Sequence, residues 1–136
     1  MPNAIHPGDA VTVIRPYEPG DEAGCRACMV ELQDSERKFD PRLRPGESMV
    51  DAYLAQMHVY RRDYAGALFV AERLGEIVGL VMVLAHVPFE GLDEPSGDYA
   101  LVAELVVREG FRRSGVAREG FAPYKETLFK PLRQRT

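Results

Sequence analysis

Two adjoining stretches of the chain hold residue types that could do chemistry. The first is Glu104, a single carboxylate inside the apolar run Leu101 to Val107. An ionised carboxylate among apolar neighbours is costly unless paired, so its presence there needs a reason. One reading puts it near the end of a strand, reaching water or an arginine. The other makes it a general base whose pKa is raised by burial. The second stretch is Arg112-Arg113-Ser114-Gly115-Val116-Ala117, which follows the turn signal Arg108-Glu109-Gly110 and reads as a loop entering a helix. Backbone N–H groups at a helix start lack intrahelical partners and carry positive potential, so they suit anionic oxygens. Gly115 and Ala117 leave that backbone open to a diphosphate, and the arginines add charge-assisted donors. Taken alone, a basic turn between strand and helix is more often a solvated connection.

Other reactive types are sparse. Cys25-Arg26-Ala27-Cys28 has C-x-x-C spacing, which suits a redox pair or half a metal site. No other cysteine exists, and the histidines (His6, His58, His86) are scattered, so no metal is expected. In a helix these cysteines share a face and pack as small hydrophobes. Glu90, Asp93, Glu94 and Asp98 make the stretch from Val87 to Asp98 acidic. Such a run is usually a solvated face, and its functional alternative is attraction of a cationic amine to a cleft mouth.

The elements that must position these residues can be read in order. Met1 to Ala10 reads as a flexible leader. Val11 to Arg15 is a β-branched first strand. Asp21 can cap a helix over about Glu22 to Arg37, with Ala23, Ala27, Val30 and Cys28 inward. A turn-rich connector, Asp40 to Glu47, leads to Ser48 as cap of a second helix, about Met49 to Arg62. Ala67 to Glu72 and Ile77 to Ala85 flank a turn at Arg73 to Glu76, an antiparallel hairpin with Gly75 at a positive-φ position. Val87 to Asp98 is a loop, and Tyr99 to Val107 is the central strand. The 136 residues make one domain, with the apolar (46%) and charged (28%) shares of a soluble globular protein. A net charge of −4 argues against a broad nucleic-acid surface. No apolar run is long enough to cross a bilayer, and no signal peptide is recognisable, which predicts a cytoplasmic protein.

Arg112-x-x-Gly115-x-Ala117, after the strand A-E-L-V-V, resembles motif A of the GCN5-related N-acetyltransferases, the GNAT superfamily. The opening I-R-P-Y-E-P-G-D-E and the hairpin's G-E-I-V-G are similar to its early strands. The resemblance implies an α/β fold of the α+β type: a mixed, mostly antiparallel sheet flanked by helices. It further implies acetyl-CoA as co-substrate and transfer of an acetyl group to a primary amine of a small molecule or peptide. The diphosphate would lie on Arg112, Arg113, Ser114, Gly115, Val116, Ala117 and Arg118, with the strand backbone at Leu105, Val106 and Val107 beside the acyl arm. An N–H of Val106 or Val107 would polarise the thioester. Glu104 matches the position of the general base in those members that have one. The first two helices line the acceptor pocket in this family, so Tyr53, Met57 and Tyr60 are candidate substrate contacts, as is Glu90. Plain core packing is the equal alternative for the Tyr and Met stripe.

The resemblance is interrupted after Ala117. Gly120 and Pro123 stop a helix there, and Gly120-Phe121 followed by Pro123 to Leu132 resembles the family's C-terminal end. The rest of the third helix, the fifth strand and the fourth helix, roughly 30 residues, have no counterpart. The family's general-acid tyrosine therefore has no matching position, and Tyr124 is the nearest substitute. Residues 119–136 are expected as a detached strand and tail. The central strand would keep an exposed edge, relieved by that tail strand or by a second copy in a homodimer. The alternative to an enzyme is a non-catalytic acyl-CoA-binding or oligomerising remnant of the fold.

Overall fold

The computed structural model of the chain describes residues 11–88, 98–112 and, for the backbone, 129–131. The β-branched opening forms β1 (Val13–Pro16), and a short 3₁₀ turn (Pro19–Asp21) leads to α1 (Glu22–Arg37) and then α2 (Gly46–Asp63). The strands β2 (Gly66–Arg73), β3 (Glu76–Pro88) and β4 (Asp98–Val107) follow, then a 3₁₀ turn at Glu109–Phe111 and a short β5 (Phe129–Pro131). The strands lie in the order β1-β2-β3-β4-β5, and each neighbouring pair is antiparallel. The expected α+β architecture with a largely antiparallel sheet is therefore present.

The hairpin turn is tighter than the sequence suggests. Arg73 pairs with Glu76, so only Leu74 (φ 53°) and Gly75 (φ 76°) connect the strands. Positive φ at both central residues gives the twist that two antiparallel strands require. The middle of β3, Ile77 to Met82, is buried on both faces, in keeping with its unbroken apolar sequence. β3 runs to Pro88 and β4 starts at Asp98, so the expected loop is shorter at both ends, with residues 89–97 outside the described part.

Both helices cover one face of the sheet and run antiparallel to each other. Gly46 meets Val30, Asp51 bonds Arg26, and His58 bonds Glu22. The core joins Cys25, Cys28 and Met29 of α1 to Val50, Leu54 and Met57 of α2, above Leu68, Val70, Leu80, Met82, Leu84 and Val106 of the sheet. The inward stripe of α1 is thus rotated from the expected one. Ala23 is exposed, while Cys25 and Met29 take the buried positions because their larger apolar side chains remove more surface from water.

The caps also differ from expectation. Asp21 precedes α1, but its carboxylate binds the Arg15 guanidinium (2.7 and 2.8 Å) and the Glu18 N–H (2.8 Å) instead of capping the helix. Arg15 also bonds Glu72 (2.9 Å), so one guanidinium joins β1, β2 and the entry to α1. α2 starts at Gly46, ahead of Ser48, whose hydroxyl donates to the Pro45 carbonyl (2.8 Å). Asp34 of α1 accepts the Gly46 N–H (2.8 Å), satisfying one of the helix's orphan donors from across the interface.

Candidate active site

Glu104 lies on the face of β4 that the helices cover. It pairs with Met82, which pairs with Leu68, and residues paired across a sheet share a face. The register slips beside it: Met82 opposes Glu104 but Val83 opposes Val102, leaving Ala103 as an extra residue. A bulge of this kind bends a strand and re-aims the neighbouring side chain. Here the bulge lies directly beside the carboxylate.

Its partner comes from α2. The Tyr53 hydroxyl donates to Glu104 Oε1, joining residues far apart in sequence. Tyr53 follows Val50 and precedes Leu54 and Met57, so the buried stripe of α2 fixes its backbone while its ring stays partly open (36% exposed). Burial pushes the Glu104 carboxyl above its ordinary pKa, the Tyr53 hydrogen bond opposes that, and the negative charge of Glu36 adds to it. The Tyr53 phenol is likewise raised, first by burial and then by donation to Glu104. A half-buried carboxylate with a raised pKa and a single donor suits acceptance of a proton from a substrate.

The backbone beside Glu104 follows from one hydrogen bond. The Arg108 N–H donates to the Val78 carbonyl (2.8 Å), and antiparallel pairing alternates from there. The polar groups of Glu104 and Val106 therefore turn toward β3, and those of Leu105 and Val107 turn to the opposite edge. β5 covers that edge only at Tyr99 to Leu101. Of the two amides the sequence left open, Val107 is the one on the side that no described strand covers. The guanidinium of Arg112 is there too, with Nε donating to the Val107 carbonyl (2.8 Å).

A carboxylate of α1 holds the turn below this edge. Glu31 accepts from Arg108 Nε (3.1 Å) and from the Glu109 N–H, and Arg108 also reaches Glu76 (2.8 Å). Burial works to raise the Glu31 carboxyl, but the Glu109 amide and the Arg108 guanidinium outweigh it and hold it below the usual range. A groove of about 480 Å³ on the outer side of α1, lined by Arg26, Val30, Glu31 and Glu109 among others, adjoins this turn and does not include Glu104. Glu104, with its Tyr53 hydrogen bond and raised pKa, is therefore the candidate centre, apart from that groove.

The candidate residues separate by position. Glu104, Tyr53, Arg112 and the edge backbone of Leu105 and Val107 lie in the described part. Tyr60 is exposed and stacks near Tyr64 (5.5 Å), with no bond to Glu104. Met57 is packed in the core (3% exposed) and backs the site instead of lining it. Val106 is likewise a core side chain with its amide in the β3 ladder. Glu90, Arg113, Ser114, Gly115, Val116, Ala117, Arg118 and Tyr124 lie outside the described residues, as do the leader and most of the tail. Sequence reading missed Glu31, Glu36 and Arg108; Glu36 falls in helical register with Cys25, Met29 and Leu32, which was the available signal. Among the described residues no group of His, Cys, Asp or Glu could hold a metal ion, and no helix is long and apolar enough to cross a membrane.

Comparisons with known proteins bear on the family and the fold. The family model for the acetyltransferase (GNAT) family matches residues 29–131. Among solved structures the chain is similar to an acetyltransferase from Vibrio fischeri, with 21% identity and TM-score 0.56 over 79% of this chain and 78% of that one. It is similar also to a transcriptional regulator from Bacillus halodurans C-125 (21% identity, TM-score 0.53, 80% and 68% covered). A third is AAC(6')-Iy in complex with the bisubstrate analog CoA-S-monomethyl-acetylneamine (21% identity, TM-score 0.51, 82% and 67% covered). At these identities the structural likeness shows the fold alone. A search of curated protein sequences gives no significant match.

Proposed function

The chain belongs to the acetyltransferase (GNAT) family, whose reaction is acyl transfer, and from that premise we propose that it is an acetyl-CoA-dependent N-acetyltransferase acting on a primary amine of a small molecule or peptide. The observation that carries this reading is the half-buried Glu104, held by Tyr53 beside the part of the β4 edge that no described strand covers. Acetyl-CoA is the co-substrate and supplies the activated acyl carbon. The edge amides of Leu105 and Val107 and the Arg112 guanidinium are donors suited to it, with residues 113–118 proposed as the diphosphate loop.

In this reading the acceptor arrives as an ammonium, and Glu104 removes one proton. The neutral amine then attacks the thioester carbonyl, and the Val107 N–H polarises that oxygen as charge develops on it. The C–S bond breaks, the thiolate leaves and takes up a proton, and the amide nitrogen gives its remaining extra proton to solvent. Two aromatic hydroxyls, on Tyr53 and Tyr60, and two carboxylates, on Glu104 and Glu36, favour a cationic acceptor over an anionic one. The same proposal has the protein cytoplasmic and homodimeric.

A thiol-release assay with acetyl-CoA and a panel of amines tests it. The wild type is expected to turn over at least one amine, and Glu104→Gln to lose roughly 10²-fold or more in kcat. Acetyl-CoA binding by calorimetry without thiol release would point to a non-catalytic acyl-CoA-binding or oligomerising role. Neither binding nor release would end the proposal.

A further inference from the structure

Among the described residues Glu104 has one hydrogen-bond partner, the Tyr53 phenol, and that bond uses Oε1 only. The second carboxylate oxygen, Oε2, has no partner among the described residues. A glutamate side chain turns about three bonds, so a base on β4 needs something to hold its head in place. The holder here is stiff. Tyr53 turns about two bonds only, and its helix is seated by Val50, Leu54 and Met57 in the core and by Asp34 at its first amide. Tyr60, the other exposed tyrosine of α2, faces Tyr64 instead.

We propose that Tyr53 is the positioning residue of the candidate base: its phenol fixes the Glu104 carboxylate through Oε1 and leaves Oε2 to meet the acceptor's ammonium. This rests on the reading of Glu104 as the base, and it replaces the simpler role of Tyr53 as a substrate contact. The tether also acts on protonation. A donor to a carboxylate favours its ionised form, whereas burial favours the neutral one. Removing the phenol while keeping the ring leaves burial unopposed, so Glu104 would hold its proton to higher pH. The sign is fixed: activity that needs ionised Glu104 is lost at a higher pH in Tyr53→Phe than in the wild type.

The experiment uses the full chain as wild type, Tyr53→Phe, Glu104→Gln and the double variant. Thermal unfolding serves to check that each is folded. Rates are measured against pH with acetyl-CoA and the best amine of the panel. In Tyr53→Phe the acid limb of kcat/KM is expected to move up, with a roughly tenfold fall in kcat, the scale of one hydrogen bond to a charged group. The double variant should be no slower than Glu104→Gln, because a tether without its base has nothing to position. In parallel, the Glu104 carboxyl is followed by ¹³C NMR, its signal assigned by its absence in Glu104→Gln, and its titration midpoint should rise in Tyr53→Phe. An unmoved midpoint, or a raised amine KM with kcat and acid limb unchanged, overturns the inference. A wild type without turnover overturns the proposed function instead, and the carboxyl titration still decides whether the tether exists.

Discussion

At Gly46 the two helices that flank the site approach closely. A Cβ built on it would lie 2.6 Å from the Val30 carbonyl oxygen, 2.9 Å from its Cα and 3.0 Å from its Cγ1. Two of these atoms are backbone in the middle of α1, which cannot yield locally. Restoring an ordinary 3.4 Å contact from 2.6 Å requires α1 and α2 to part by about 0.8 Å. Overpacking of this kind costs about 1–3 kcal/mol. Alanine recovers up to about 1 kcal/mol of helix propensity, less at a first helical position. Gly46→Ala is therefore expected to destabilise by roughly 1–2 kcal/mol, near 4–8 °C in Tm for a domain of this size. Urea unfolding should show a lower midpoint at unchanged slope. The same shift strains the Asp34 to Gly46 bond and moves Tyr53 relative to β4, so kcat should fall as well. Gly20→Ala is the control, since nothing lies within 4 Å of its added Cβ. If Gly46→Ala matches or exceeds wild-type stability, the tight approach of the helices is wrong.

Three further outcomes are expected. Arg15 holds the Asp21 carboxyl below its ordinary pKa, with burial opposing and the Glu18 N–H assisting. A depressed carboxyl stabilises the fold above its unfolded value, about 3.9, and loses that as pH falls through the folded value. Asp21→Asn should accordingly be less stable than wild type at neutral pH, with the gap closing below about pH 4 in urea titrations. Glu31→Ala strips the Glu109 amide and Arg108 of a shared acceptor and should cost about 1–3 kcal/mol, with weaker acetyl-CoA binding by calorimetry; unchanged binding would sever α1 from the proposed loop. Burial pushes the Cys25 thiol up to about 12 and the Cys28 thiol up to about 11. Native protein should then stay silent to a thiol reagent at neutral pH and react at both cysteines once unfolded in urea.

The elements were legible where sequence signals are local. The positive-φ glycine between two apolar runs gave the hairpin, the apolar period gave both helices, and the continuous run at Leu101 to Val107 gave β4. The oddness of Glu104 was legible too, because a carboxylate in such a run conflicts with its neighbours. Its partner was not, since Tyr53 reads as one more aromatic in a helical stripe until α2 is docked. The reading that had Glu104 reach an arginine or water missed a phenol for the same reason. Glu31 and Arg108 look like ordinary surface charges until α1 crosses the end of β4. The rotated stripe of α1 arose from placing Ala23 and Ala27 in the core, when Cys25 and Met29 were the bulkier apolar groups.

Among the described residues every strand of the sheet lies beside the one that precedes it in the chain. Such a sheet can assemble by successive addition, β3 zipping onto β2 across a two-residue turn and β4 joining afterwards, so that the costliest loop closure is postponed. The bond between Tyr53 and Glu104 spans 51 residues and needs both the docked helix and the late strand. The geometry proposed for catalysis would thus form late and dissolve early, and native-state hydrogen exchange should find β4 amides opening at lower free energy than those of β2 and β3.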